Sequence, residues 1–169
     1  RSSVFRQAKE NSARSGLTAI AMARQAALLL LTVHGYEIPA YAVNNDFYRQ
    51  ALELDLRGQR EHTDAILSAM GGIERSQFSR LKSLLQLSDD ALELADRHAL
   101  EERKLRPVLS LEPADQVEMI RQIIDLNLSS KQIEDLCSNG DTNDANRDAL
   151  NPLPPSAIKI ARLTQVVTK

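Results

Sequence analysis

Residues 64–85 read DAILSAMGGIERSQFSRLKSLL, and this stretch decides the fold. A short segment with helical spacing precedes the pair Gly71 and Gly72, and a second helical segment follows it. A tight or left-handed turn needs glycine, because a side chain would clash there. The order of helix, glycine turn and helix predicts a helix-turn-helix.

The second helix of this pair has two different faces. Phe78 and Leu81 are three residues apart, which predicts that they bury the helix against the first one, with Ile73 packed between the two. The opposite face carries small hydrogen-bonding side chains and cations, namely Arg75, Ser76, Gln77, Ser79, Arg80 and Lys82. Arginine reads guanine and glutamine reads adenine in the major groove of DNA, while serine and lysine bind phosphates. Glu74 complements the helix dipole at the start of this helix or accepts a hydrogen bond from cytosine. Because ordinary helical hairpins share the layout, the alternative is that residues 75–87 form one more surface helix.

The remaining sequence also predicts helices. Alternating stretches of strand length are absent, and aromatic residues make up only 4% of the chain. Capping residues and breakers place the other helices at about 18–33, 46–56, 63–70, 89–98, 101–109, 113–126 and 129–137. We therefore predict an all-α fold.

Composition excludes several classes of protein. The chain has 169 residues, a net charge of −2 and one cysteine, Cys137, so no internal disulfide is available. The longest apolar run, at residues 26–31, is too short to span a bilayer, and the sequence shows no signal peptide. No metal-ligand spacing and no nucleophile–base arrangement is present, so neither a metal site, a catalytic residue nor an enzyme is predicted. We expect a cytoplasmic protein without a membrane partner.

Charge is unevenly distributed along the chain. Residues 1–24 carry five basic groups and one acid, residues 57–106 carry nine groups of each sign, and residues 112–150 carry nine acids and three bases. The overall charge therefore says little about any local surface.

Four segments in order resemble the central region of ParB-type chromosome and plasmid partition proteins. The segments are ENSARSGL at 10–17, IERSQFSRLKSLLQLSDDALEL at 73–94, KLRPVLSL at 104–111 and QIIDLNLSSKQIEDL at 122–136. They resemble, respectively, the family's Glu-Asn-x-x-Arg-x-x-Leu motif, its recognition helix, its His-Ala-Arg segment and its closing helices. The resemblance covers about residues 10–137 and implies a ParB/KorB-like helix-turn-helix DNA-binding domain.

The resemblance also implies roles for individual residues. Residues 75–82 correspond to the recognition helix, while Arg106 and Lys131 correspond to positions that bind DNA phosphates. Glu10, Asn11 and Arg14 match a motif that helps bind CTP in the family. The strand-rich domain that precedes this region in the family is absent from the sequence, so CTP is expected only for a longer protein, and this chain alone is expected to have no cofactor. Glu74 replaces the usual serine before the recognition helix, and residues 35–60 are longer than the family pattern.

The organisation that follows has three parts. Residues 1–35 form an N-terminal linker helix with the Glu-Asn-x-x-Arg-like motif, residues 36–137 form the helical DNA-binding domain, and residues 138–169 form a linker and tail containing Pro152, Pro154 and Pro155. Because the chain begins at Arg1 rather than methionine, we expect a piece of a longer protein.

Three hypotheses for function remain open at this point. The first is sequence-specific binding of a centromere-like DNA site by a homodimer at the nucleoid or on a plasmid, with a ParA-type ATPase as a further partner. The second is a transcription repressor or nucleoid-occlusion factor built on the same module. The third is a helical protein-binding adaptor without DNA activity, which the acidic segment at 112–150 keeps open.

Overall fold

All regular secondary structure in the described part of the chain is helical. A computed structural model describes residues 2–13, 16–58 and 60–141, which contain no strand. The α-helices are α1 (Ser2–Ala13), α2 (Ala19–Val33), α3 (Asn45–Arg49), α4 (Arg60–Ala69), α5 (Arg75–Ser83), α6 (Asp89–Arg97), α7 (Glu102–Leu105), α8 (Pro113–Leu126) and α9 (Ser130–Asp141). Turns of 3₁₀-helix follow α3, α5 and α7 at Gln50–Glu53, Leu84–Gln86 and Arg106–Ser110. The predicted all-α fold is confirmed.

The core is built around α2. Leu29, Leu30 and Leu31 are fully buried, as are the small residues Ala23 and Ala26, which let neighbouring helices approach closely. Helix α2 packs against α1, α4, α5 and α6. Its most extensive interface is with α5, which is therefore buried mainly against α2 and not, as the spacing of its apolar residues predicted, against α4.

Capping residues in the sequence correctly predicted most of the helix ends. The Thr18 hydroxyl accepts the Ala21 N–H at 3.0 Å at the start of α2, and Ser88 does the same for α6. Ser129 and Gln132 form the predicted capping box, since the Ser129 N–H donates to Gln132 Oε1 at 2.8 Å and the Gln132 N–H donates to Ser129 Oγ at 3.2 Å.

Other boundaries differ from the sequence prediction. The stretch predicted as one linker helix at residues 1–35 contains two helices, α1 and α2, and α9 continues to Asp141, past residue 138 where a linker was expected. Helix α2, which belongs to the predicted linker-helix segment, shares one core with α5. The segment 46–56 forms only a short helix and a 3₁₀ turn. The predicted tail from residue 142 onward lies outside the described residues.

Candidate nucleic-acid interface

The turn between α4 and α5 has a geometry that glycine makes possible. Gly71 has φ +91° and Gly72 has φ +79°, both in the left-handed region. The Gly71 N–H donates to the Ser68 carbonyl at 3.1 Å, and the Gly72 N–H donates to the Leu67 carbonyl at 2.8 Å. These two bonds are the Schellman pattern that ends a helix. A Cβ atom at Gly71 would lie 3.7 Å from Ser12 Cβ, so backbone conformation and not space requires glycine here.

Helix α5 presents one buried and one exposed face. Phe78 is 1% exposed and Leu81 is 2% exposed, so both anchor the helix in the core. The exposed side chains are those of Arg75, Ser76, Gln77, Ser79 and Arg80, together with Glu74 at the N-cap. Six of the seven predicted residues of this region are therefore exposed. Glu74 makes no side-chain capping bond, which leaves its carboxylate available to a ligand.

Lys82 is the exception among the predicted residues of α5. Its ammonium group donates a hydrogen bond to the Leu54 carbonyl, and the side chain is partly buried. Burial lowers the pKa of Lys82 below its usual value, and the negative charge of Asp55 opposes that shift. Lys82 thus holds the preceding loop in place, and a DNA phosphate would have to compete with this bond.

Ion pairing separates the arginines into two groups. Arg24, Arg49, Arg97, Arg106 and Arg121 each form an ion pair with a carboxylate. By contrast, six exposed arginines form no ion pair with any described residue: Arg6 on α1, Arg103 on α7, and Arg57, Arg60, Arg75 and Arg80 on or beside the helix-turn-helix. Unpaired guanidinium groups leave positive potential on this part of the surface for an external anion.

The segment directly after α5 is held by Arg49, an arginine that the sequence analysis did not single out. Arg49 Nε donates to the Leu85 carbonyl at 3.0 Å, and its Nη2 donates to the Leu87 carbonyl at 2.8 Å. The same guanidinium lies 2.7 Å from Asp89 and 2.9 Å from Asp46. These contacts lower the pKa of Asp89, chiefly through the hydrogen bond from Arg49. The contacts with Leu85, Leu87 and Asp89 join residues 36 to 40 positions apart, which is why no local pattern indicated them, whereas the i,i+3 pair with Asp46 is local.

The two remaining residues predicted to bind phosphates are Arg106, in the 3₁₀ turn at residues 106–110, and Lys131, in α9. This turn and α9 pack against each other. Arg106 is held in a bidentate pair, since its Nε donates to Glu102 Oε2 at 2.7 Å and its Nη2 donates to Glu102 Oε1 at 2.8 Å. This pair raises the pKa of Arg106. Lys131 is exposed in the first turn of α9 and forms no ion pair with a described residue.

The predicted nucleotide motif lies on α1, which packs against α4. Glu10 is exposed, whereas Asn11 Nδ2 donates to Gln25 Oε1 at 3.0 Å and so helps to hold α1 on α2. Arg14 lies outside the described residues. A nucleotide role for these residues stays a prediction.

Within the described ranges, no group of three or more histidine, cysteine, aspartate or glutamate residues is placed to hold a metal ion. Among the same residues, no helix has the length and apolarity that crossing a bilayer requires.

Comparison with protein families gives one match. The family model described as the ParB HTH domain matches residues 53–142, which is just over half of the chain and includes α4 to α9. The comparison with curated proteins and the comparison with solved structures returned no match.

Proposed function

Because the chain belongs to the ParB helix-turn-helix domain family, we propose that it binds a specific double-stranded DNA sequence, with α5 as the recognition helix. The sequence it binds is a centromere-like site used in chromosome or plasmid segregation. Family membership supports DNA binding of the partition type. The proposal adds the residues that read the sequence.

One observation supports this assignment most strongly: α5 carries exposed hydrogen-bond donors on one side and is anchored in the core on the other. Arg75, Gln77 and Arg80 are exposed, and Phe78 and Leu81 fix the opposite face in the core. An arginine makes two hydrogen bonds to guanine in the major groove, and glutamine does the same with adenine. Because the backbone of α5 is held in place, these side chains bind selectively: a different base at the same position leaves their donors without hydrogen bonds.

Phosphate contacts supply much of the affinity in such complexes and do not select sequence. Lys131 is accessible for this role. Arg106 binds a phosphate only if it releases Glu102, and Lys82 does so only if it releases the Leu54 carbonyl. We therefore assign the phosphate role first to Lys131, and to Arg106 and Lys82 after rearrangement.

Selection of bound sequences from a random DNA pool identifies the preferred duplex and begins the test. The triple variant Arg75→Ala, Gln77→Ala, Arg80→Ala is then compared with the unchanged chain on the preferred and on a scrambled duplex. Each bidentate pairing with a base is worth about 1–3 kcal/mol, so preference falls about 5- to 150-fold for each base-reading side chain that is removed. Folding is retained, since exposed substitutions usually change stability by no more than about 0.5 kcal/mol.

A matched triple variant controls for side-chain loss alone. Arg97→Ala, Arg121→Ala and Gln7→Ala remove the same residue types from exposed positions outside α5. This control keeps the preference for the selected duplex. Unchanged preference in the α5 triple variant eliminates α5 as the reader.

The biological role is tested by mapping bound sites across the genome. Sites clustered near a replication origin or on a plasmid support segregation, and an inverted repeat among the selected sequences supports a homodimer. Promoter sites would instead indicate a repressor, and scattered sites a nucleoid-occlusion factor. Failure to bind any duplex even at low salt would indicate a protein-binding adaptor.

A further inference from the structure

A basic groove lies beside the exposed face of α5. Its volume is about 490 Å³, and it is formed by residues 56–58, the first turns of α4 and the start of α5. Three exposed arginines line it: Arg57, Arg60 and Arg75. Asp64 is the acid among its lining residues. The groove therefore has an excess of positive charge.

The floor of this groove is part of the folded core. Leu56 is 7% exposed and Thr63 is 6% exposed, and the Thr63 hydroxyl donates to the Leu56 carbonyl at 3.4 Å. The loop above it is held by a bond from the Arg57 N–H to Asp55 Oδ1 at 2.9 Å. The backbone that carries Arg57 is thus fixed, while its guanidinium forms no ion pair with a described residue.

We propose that this groove binds backbone phosphates of the DNA duplex next to the major groove that α5 enters. The inference rests on the proposed function and adds Arg57 and Arg60 as the residues that fix the position of α5 on the duplex. A guanidinium group presents paired N–H donors that match two phosphate oxygens. In helix-turn-helix complexes the first helix crosses the DNA backbone, and here Arg60 begins that helix. Arg75 lines both the phosphate groove and the base-reading face, which links the two sets of interactions.

The test is the salt dependence of binding by the double variant Arg57→Gln, Arg60→Gln. Each phosphate neutralised by a cation contributes about 0.9 to the slope of log K against log salt concentration. The variant is therefore expected to lower the magnitude of that slope by about 2. It weakens binding to the preferred and to a scrambled duplex by the same factor, because phosphate contacts carry no base preference.

The control is the double variant Arg97→Gln, Arg121→Gln, which removes the same net charge from exposed positions that already have carboxylate partners. It should leave the slope unchanged, and circular dichroism checks that both variants fold. If the unchanged chain binds DNA and the Arg57–Arg60 variant keeps its affinity and slope, this inference is overturned and the proposed function stands. If the unchanged chain binds no duplex at low salt, both fail. A changed preference between the two duplexes would also overturn the phosphate assignment, since it would place these arginines on bases.

Discussion

Replacing Arg49 with methionine removes the side chain that connects residues 44–53 to the segment directly after α5. The two hydrogen bonds to the carbonyls of Leu85 and Leu87, at 3.0 and 2.8 Å, disappear together. Hydrogen bonds to a charged group contribute about 1.5–3 kcal/mol each. The side chain is 23% exposed, so water replaces part of this interaction, and we expect the free energy of unfolding to fall by about 2–4 kcal/mol.

The measurement is urea unfolding followed by circular dichroism, with thermal unfolding as a second probe. The expected loss of stability lowers the melting temperature by about 6–12 °C in a domain of this size. Methionine preserves most of the apolar stem, so the effect reports on the guanidinium rather than on packing. A matched control is Arg97→Met, whose guanidinium lies 3.6 Å from Glu93 and is 64% exposed. It should change stability by no more than about 0.5 kcal/mol.

An Arg49→Met variant as stable as the unchanged chain would refute the reasoning. It would mean that water satisfies the two carbonyls as well as Arg49 does. An equal loss of stability in both variants would also refute it, because the effect would then follow removal of any surface arginine.

Three other perturbations test separate parts of the structure. Gly71→Ala forces a side chain into left-handed backbone and should cost about 1–2 kcal/mol in urea unfolding; a neutral result would contradict the strain argument. Glu102→Gln weakens the bidentate pair with Arg106. If Arg106 binds a phosphate, DNA affinity measured by titration at low salt should rise about two- to fivefold. An unchanged affinity would show that Arg106 is not part of the interface. Because Arg49 lowers the pKa of Asp89, ionised Asp89 adds stability above about pH 4, and this stability is lost as the pH falls through the folded-state pKa of Asp89. In urea unfolding, the difference in stability between the Asp89→Asn variant and the unchanged chain should therefore disappear at acid pH. A difference that does not depend on pH would contradict this.

Short-range signals in the sequence predicted much of the fold. Ser88 capped its helix as expected, and α8 runs over Pro113–Leu126 as predicted. The glycine turn and the exposed face of α5 also follow the prediction, because both depend on residues within a few positions of each other. Such features are decided by backbone conformation and helical spacing, which a single sequence displays directly.

Features that depend on distant residues were not predictable in this way. Helix α1 has a polar sequence and is held by other helices, for example through the bond from the Ser12 hydroxyl to the Ala69 carbonyl at 2.8 Å. Packing of α5 on α2 joins residues about fifty positions apart, and Asn11 is engaged by Gln25. The pair of Glu102 and Arg106 is different, since its i,i+4 spacing was visible in the sequence and could have been used.

The segment between α2 and α4 explains how α5 is both anchored and accessible. Its Arg49 and the Leu54 carbonyl engage the C-terminal end of the helix, while Arg75 and Arg80 stay exposed without a described ion-pair partner. Arg80 and Lys82 are two positions apart and equally basic in the sequence, yet only Lys82 has a carbonyl within reach. A cation on this helix stays free for an external anion where the fold offers it no acceptor, and the segment between α2 and α4 offers an acceptor, the Leu54 carbonyl, only to Lys82.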